Sequence, residues 1–325
     1  MPCAFVRYAC SFALRGGLAC MENWKNSARA FWVAFAPPTF WLAAFFILPL
    51  SLIWLYSFSS KTGILDITLD WNLQQYARAL EPLYLGIFWK SIWMAAATTF
   101  ICLVVSFPVA IAIVFSKPQM RMWLLLLVIL PFWTNLLIRT YALIAVLRTN
   151  GFINNGLEWI VVNADWALSF IGLGDNTIIG PFTPLKLLYN NTAVIFGLVY
   201  VSLPFMVLPL YAALDRLDRS YLEASLDLGA GHTRTFFSIV VPLALPGIAS
   251  GIVITFIPAM GSYLTPDLLG GTDSYMIANV IASQFKQANN WPFGAALSFL
   301  LMYATFFALA IRAVLMRKEG RGDKR

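Results

Sequence analysis

The chain has 325 residues, of which 60% are hydrophobic and only 11% are charged, with a net charge of +7. A soluble domain carries roughly 25% charged residues, so this composition excludes a soluble globular protein and indicates an all-α polytopic membrane protein. Because the basic residues form no patch in a soluble domain, no nucleic-acid partner is expected.

The first thirty residues are mildly basic and only patchily apolar. Their apolar run, residues 12–20, is too short and too interrupted to be a good signal peptide. We therefore interpret residues 1–30 as a cytoplasmic N-terminal tail. A translation start at Met21 is an alternative interpretation of the same segment.

Six apolar runs are long enough to cross a bilayer, whose core of about 30 Å requires roughly 20 apolar residues per helix. They predict six transmembrane helices at about 31–57, 91–115, 122–147, 192–213, 243–265 and 296–316. Loops at 58–90, 148–191 and 266–295 separate some of them. The first helix is followed by a transmembrane core at about 86–312 and by a basic tail at 313–325.

Lys and Arg accumulate in the cytoplasmic loops of membrane proteins. With the N-terminus inside, four segments are cytoplasmic, and they hold fifteen of the 22 Lys and Arg, against six in the outer loops. These segments are residues 1–30, 116–121, 214–242 and 312–325. The bias therefore predicts that both termini and the polar segment 214–242 are cytoplasmic.

Arg139 is the one basic residue inside a predicted span, and an Arg at mid-bilayer costs roughly 2.5–3.5 kcal/mol on insertion scales. At about 1.5 Å per residue it lies about 24 Å along the third helix, counted from Trp123. Two interpretations stay open for its side chain. It extends to the outer membrane surface, or it faces a water-filled path or a neighbouring helix.

In the following outer loop, residues 154–162 are typical of a short interfacial helix with Trp159 at the headgroup level.

The polar segment 214–242 contains a short helix with clear local signals. Ser220 followed three residues later by Glu223 matches a capping box, and Gly229 stands where a glycine ends a helix of about two and a half turns. Such a helix is too short to be stable alone. Glu223 and Asp227 are four residues apart, a like-charge pair that is unfavourable on an isolated helix. A helix lying on lipid would carry Lys or Arg, so we expect a protein partner.

Residues suited to metal binding or catalysis are few. The chain has four cysteines and one histidine, His232, at spacings that match no metal site. It contains no G-x-x-x-x-G-K-[ST], G-x-S-x-G or H-E-x-x-H motif. We therefore expect no catalytic residue, no metal and no cofactor on this chain, so that any ATP would be bound by another subunit.

One sequence pattern resembles a known family. Glu223-Ala224-Ser225, Gly229 after three further residues, and Ile239-x-Val241-Pro242 after nine more resemble the EAA motif, E-A-A-x3-G-x9-I-x-L-P, of type I ABC-importer permeases. The chain departs from that motif at Ser225 and at Val241. Other stretches resemble the permeases of bacterial spermidine/putrescine importers, namely residues 131–139, 203–209, 257–261, 267–271 and 290–294.

The resemblance implies the type I ABC-importer transmembrane fold and a multi-pass position in the bacterial cell inner membrane. It also implies that the chain forms half of a translocation pore for a polyamine. The implied partners are two copies of an ABC ATPase that binds ATP and Mg²⁺, a second, homologous permease subunit and a periplasmic polyamine-binding protein. The ATPase contact, or coupling helix, would then comprise Tyr221, Leu222, Glu223, Ala224, Ser225, Asp227, Leu228 and Gly229, with Pro242 beyond it.

The substrate path is predicted from chemistry, because polyamines are cations with a hydrocarbon chain that acids and aromatic faces suit. The candidates are Trp133, Arg139, Tyr141, Ser262, Tyr263 and Asp267. Two alternatives stay open. One is an importer of the same type for an organic acid, an opine or an amino-acid derivative. The other is a secondary transporter, which a mid-span acid would support, although the six runs contain no Asp or Glu.

Overall fold

The computed structural model describes residues 28–61, 63, 67–170 and 183–322. Most of the predicted N-terminal tail, the alternative start at Met21 and the last three residues lie outside the described residues. The helices are α1 (Ala28–Leu42), α2 (Leu48–Tyr56), α3 (Gln74–Ala79), α4 (Pro82–Phe115), α5 (Pro118–Ile129), α6 (Leu136–Leu147), α7 (Phe152–Phe170), α8 (Asn191–Asp215), α9 (Arg219–Asp227), α10 (His232–Thr235), α11 (Val241–Met260), α12 (Leu264–Leu269), α13 (Ile277–Lys286) and α14 (Trp291–Gly322). Two short strands, β1 (Ser60–Lys61) and β2 (Ile67–Thr68), pair antiparallel.

Within the described ranges, five helical stretches are long and apolar enough to cross a membrane, and two shorter apolar helices accompany them. The five are Phe35–Tyr56, Pro82–Phe115, Leu136–Asn163, Asn191–Asp215 and His232–Met260, and the shorter two are Pro118–Trp133 and Trp291–Phe307. Each of the six apolar runs in the sequence is thus helical. The fold is the all-α polytopic one that the composition predicts.

The third apolar run differs from the prediction of a single helix. Helix α5 ends at Ile129 and passes into a 3-10 turn, Leu130–Trp133, because Pro131 cannot donate a backbone hydrogen bond. Helix α6 then begins afresh behind Asn135, whose side chain accepts a hydrogen bond from the Leu137 N–H at 2.8 Å. The break therefore results from a proline and an N-cap in close succession.

The centre of the molecule is formed by α4, α8 and α11, which make the most extensive helix–helix contacts in the described part of the chain. Phe107, Leu210 and Ile248 belong to a buried cluster at one end of this three-helix core. Gly247 permits the close approach of α11 to α8, because a Cβ atom there would lie 2.9 Å from the carbonyl oxygen of Pro209. Small residues at helix contacts are the usual means of tight packing in membranes.

The loops carry more helix than the sequence predicts. Helix α7 has 19 residues, about twice the predicted 154–162 segment, and Trp159 on it is 69% exposed. The buried Asn154 fastens the long loop, since its side chain accepts from the Leu185 N–H and donates to the Leu185 carbonyl, both at 3.0 Å. Helix α14 continues to Gly322, so the first ten residues of the predicted basic tail are helical.

Candidate functional site

The helix that the EAA-like motif predicts is α9, and it begins two residues earlier than the capping box implies. Its N-cap is Asp218, whose carboxylate accepts a hydrogen bond from the Ser220 N–H at 3.0 Å. The prediction of a Ser220–Glu223 capping box is therefore wrong. The Asp218 side chain satisfies an orphan backbone donor and also suits the positive end of the helix dipole, so it begins the helix in place of Ser220.

The other end of α9 confirms the prediction for Gly229. This glycine has a φ of +81°, in the left-handed region that other residues rarely adopt. The Gly229 N–H donates to the Leu226 carbonyl at 2.9 Å, and the Ala230 N–H donates to the Ser225 carbonyl at 3.1 Å. These two bonds form a Schellman motif. The glycine therefore terminates α9 sharply and turns the chain towards α10.

Ser225 attaches α9 to α10, and it is one of the two positions at which the chain departs from the motif. Its hydroxyl shares a hydrogen bond of 2.9 Å with the hydroxyl of Thr235, and both side chains are buried. From Thr235 the backbone continues through a π turn, Phe236–Val240, into α11. Pro242 stands at the start of α11, where its missing N–H is compatible with the wider π turn before it. Helix α9 is thus linked to a helical stretch that reaches Met260.

The outward face of α9 is apolar at its centre, and its apolar side chains are exposed. Leu228 is 88% exposed and Tyr221 is 57% exposed. Ala224, also exposed, lies between them on the same helical face. Asp227 is exposed beside this stripe and adds a negative charge. Such a face suits an apolar groove with basic residues nearby.

The inward face of α9 borders a cavity of about 480 Å³ between the helix and the ends of α4 and α8. Leu222 and Leu226 contribute apolar surface to this cavity, and Glu223 lies at its edge together with His232. The motif glutamate therefore faces the space behind the helix, whereas the apolar stripe faces outward. The predicted residues of α9 divide between these two faces.

Three residues that the sequence analysis missed form a cluster beside this cavity, which we call the Arg121 clasp. It consists of Arg121 at the start of α5 and of Tyr211 and Asp215 in the last turns of α8. The Arg121 Nε donates to the Tyr211 hydroxyl oxygen at 2.6 Å, and its Nη2 forms an ion pair with Asp215. The guanidinium carbon also lies 4.9 Å from the centre of the Tyr211 ring. The bonds to Asp215 and then to Tyr211 raise the pKa of Arg121 above its ordinary value.

A second site lies around the predicted substrate residues. Tyr263 and Asp267 line a small pocket of about 170 Å³ together with Tyr275, Asn279 and Lys286. The ammonium of Lys286 lies 4.5 Å from the centre of the Tyr263 ring and 3.4 Å from its hydroxyl oxygen. The amide of Asn279 donates to the Tyr263 carbonyl at 3.0 Å. The pocket therefore joins a carboxylate, two phenols and one ammonium.

The other predicted substrate residues do not line this pocket. Ser262 is half-buried next to Tyr263, whereas Trp133 is 82% exposed in the 3-10 turn and Tyr141 is 58% exposed on α6. Arg139 is only 8% exposed, so the interpretation that it extends to the membrane surface is wrong. Its guanidinium carbon lies 6.0 Å from the centre of the Phe132 ring, towards the break before α6. Helix α6 packs against α12, which carries Asp267.

Neither site has the features of a metal centre. Across residues 28–61, 63, 67–170 and 183–322, no three His, Cys, Asp or Glu side chains come together in a group that could hold a metal ion. What the geometry offers is a capped helix that presents an apolar face, mounted on a bundle of membrane-spanning helices.

Comparison with known proteins identifies the class. Residues 27–319 match the family "Binding-protein-dependent transport system inner membrane component", and the chain belongs to this family. It is therefore a permease subunit of an ABC importer in the inner membrane, a type of subunit that works with an ATPase and a substrate-binding protein.

Its relatives place it more closely. The chain is 39% identical over 277 residues to the spermidine/putrescine transport system permease protein PotB of Salmonella typhimurium (strain SL1344), covering 85% of this chain and 90% of the relative. It is 40% identical over 261 residues to PotB of Escherichia coli (strain K12), covering 80% and 88%. A bacterial alginate ABC transporter, solved in complex with an alginate-bound periplasmic protein, has the same fold with a TM-score of 0.66 at 15% identity, covering 89% of this chain and 94% of that one.

Proposed function

We propose that this chain forms half of the pore of an ATP-driven importer of polyamines, and that a separate ATPase binds it through α9. The observation that carries the proposal is the exposed stripe of Tyr221, Ala224 and Leu228 on a helix whose two ends are fixed by side-chain and backbone caps. An apolar surface of this kind in water favours a protein partner. In this proposal both termini and the 214–242 loop are cytoplasmic.

The connections of α9 support a coupling role. Ser225 holds the helix to α10, and the chain then continues without a break to Met260. A partner that moves α9 therefore moves a membrane-spanning helix. We propose that two ATPase copies bind ATP and Mg²⁺. One copy would contact this chain, and the other would contact a second, homologous permease subunit.

The chemistry of the outer pocket and the names of the relatives support a polyamine as substrate. Asp267 offers a carboxylate, and Tyr263 and Tyr275 offer aromatic faces to a cationic amine. A periplasmic polyamine-binding protein would deliver this substrate. Lys286 is the observation that favours the alternative, an organic acid or amino-acid derivative, because its ammonium would pair with a carboxylate.

The ATPase contact is tested by replacing Leu228 with Asp. Since the side chain is 88% exposed, this change should leave the fold and membrane insertion intact while releasing the ATPase from the purified complex. Glu223→Lys should also release the ATPase or abolish transport. The matched control is Leu69→Asp, at an exposed leucine in the loop after β2. Normal ATPase binding and transport in both Leu228→Asp and Glu223→Lys would refute the coupling role.

The orientation is tested with a green fluorescent protein fused to the C-terminus, which becomes fluorescent only when it folds in the cytoplasm. A fluorescent fusion is expected. A dark but membrane-inserted fusion would contradict the proposed topology.

The substrate is tested by isothermal titration of the partner binding protein with putrescine, spermidine and anionic controls. Binding of an anion alone would contradict the polyamine proposal.

In this chain, Asp267→Asn should raise the KM for spermidine about tenfold, which corresponds to the free energy of one charge-assisted hydrogen bond. Asp273→Asn, an exposed acid outside the pocket, is the control and should leave the KM unchanged.

A further inference from the structure

Helix α5 has little buried surface, so the Arg121 clasp is a notable contact between α5 and α8. None of the residues of α5 is buried, and the helix enters the fold through the short turn after α4. Within the described ranges, the ion pair from Arg121 to Asp215 is the only salt bridge. Arg121 therefore provides the one ionic contact between α5 and α8 in the described part of the chain.

The clasp lies next to the start of the coupling helix. Asp215 is the last residue of α8, and only Arg216 and Leu217 separate it from Asp218, the N-cap of α9. Arg121 and Asp215 also line the cavity behind α9, so the inward face of α9 borders open space beside the clasp. Arg121 therefore contacts α8 only three residues before the N-cap of α9.

The chemistry of the contact suits a mechanical connection. A guanidinium holds a fixed geometry when it bonds two acceptors at once, as it does here with Tyr211 and Asp215. The two acceptors are four residues apart and therefore lie on one face of α8. The positive charge also offsets Asp215 at the negative end of the helix dipole. Since both charged side chains are partly exposed, at 28% and 41%, the pair contributes little to stability.

We propose that Arg121 is a positioning residue for energy coupling, one that makes α5 move with α9 when the ATPase changes conformation. Movement of α9 reaches α11 through the backbone and reaches α5 through the Arg121 clasp. The helix before the break at residues 130–135 would then move together with α9. This inference rests on the proposed function of α9 as the ATPase contact.

The test measures substrate imported per ATP hydrolysed, with the complete importer in proteoliposomes. Arg121→Gln is expected to leave assembly and ATP hydrolysis intact and to lower this ratio about fivefold or more, within the usual range of coupling between sites. The charge exchange Arg121→Asp with Asp215→Arg should restore the ratio, because it rebuilds the ion pair in the opposite direction. Lys117→Gln removes a charge from the same turn, at an exposed side chain, and should leave the ratio unchanged.

An unchanged ratio in Arg121→Gln, or an equal loss in Lys117→Gln, would overturn the inference. If the importer does not assemble with Arg121→Gln, the Asp215→Asn variant is tested in its place, because it keeps the side-chain shape and removes only the charge. A normal ratio in that variant would also overturn the inference. Failure of the unaltered chain to bind the ATPase would instead refute the proposed function, so the two failures are distinguishable.

Discussion

Gly229 gives the sharpest test of the α9 architecture, because a matched control lies two residues away. Its φ is +81°, and a Cβ atom added there would meet nothing within 4 Å. A serine at this position would therefore suffer backbone strain without a steric clash. For a residue with a Cβ, the left-handed conformation costs about 1–2 kcal/mol. Gly231 also has open space around it, but its φ is −69° and it is the N-cap of α10, a position that serine favours.

We expect Gly229→Ser to weaken binding of the ATPase and Gly231→Ser to leave it unchanged. In the free permease the variant relieves its strain by unwinding the last turn of α9, and binding must then restore that turn. The strain therefore appears as a loss of affinity of about 5- to 30-fold. Gly229→Asn should fall between the two, since asparagine tolerates the left-handed region better than serine.

The measurement is the affinity of the purified ATPase for each permease variant in nanodiscs, by biolayer interferometry. The far-ultraviolet circular dichroism of the three variants serves as a check that the spans are folded. Affinities of Gly229→Ser and Gly231→Ser within twofold of each other would refute the reasoning from φ.

Two further predictions concern packing, and both are read from thermal unfolding in detergent. Ser225→Ala should destabilise the chain by about 1–3 kcal/mol, because it leaves the buried Thr235 hydroxyl without its partner. The double variant with Thr235→Val should recover most of that loss, and a double variant less stable than Ser225→Ala would contradict the hydrogen-bond explanation. Gly247→Ala should destabilise by about 1–3 kcal/mol through overpacking, whereas Gly86→Ala, at an open position in α4, should stabilise by about 1 kcal/mol. Shifts of the same sign at both glycines would contradict the close approach of α8 and α11.

Local signals in the sequence were sufficient for some features of the site. The apolar runs predict the spans because a bilayer fixes the length of a helix, and Gly229 predicts the end of α9 because few other residues adopt its φ. The start of α9 was predicted wrongly at Ser220, because Asp218 and Ser220 both suit an N-cap. Only the structure shows that Asp218 makes the bond. Pro131 indicates a distortion of the third span, but a complete break also depends on Asn135 as a new N-cap.

Contacts between distant positions could not be predicted in this way. Arg121 and Tyr211 are 90 residues apart, and Tyr263 and Lys286 are 23 apart. No periodicity or local pattern connects such pairs, because they meet only when the helices pack. The same holds for Arg139, whose burial depends on the neighbours of α6 and not on its own depth in the membrane.

The helical stretch from His232 to Met260 has a consequence for the timing of transport. Its 29 residues extend about 40 Å, include the Thr235 contact with α9 in their first turn, and end two residues before Ser262, beside the pocket of Tyr263 and Asp267. The two candidate sites thus lie at opposite ends of one helical stretch. A continuous helix transmits a displacement from one end to the other in a single step. Bending at the π turn, at Pro246 and at Pro258 would reduce the displacement that is transmitted. Opening at the pocket is therefore expected to occur in the same step as movement of α9, and not after it.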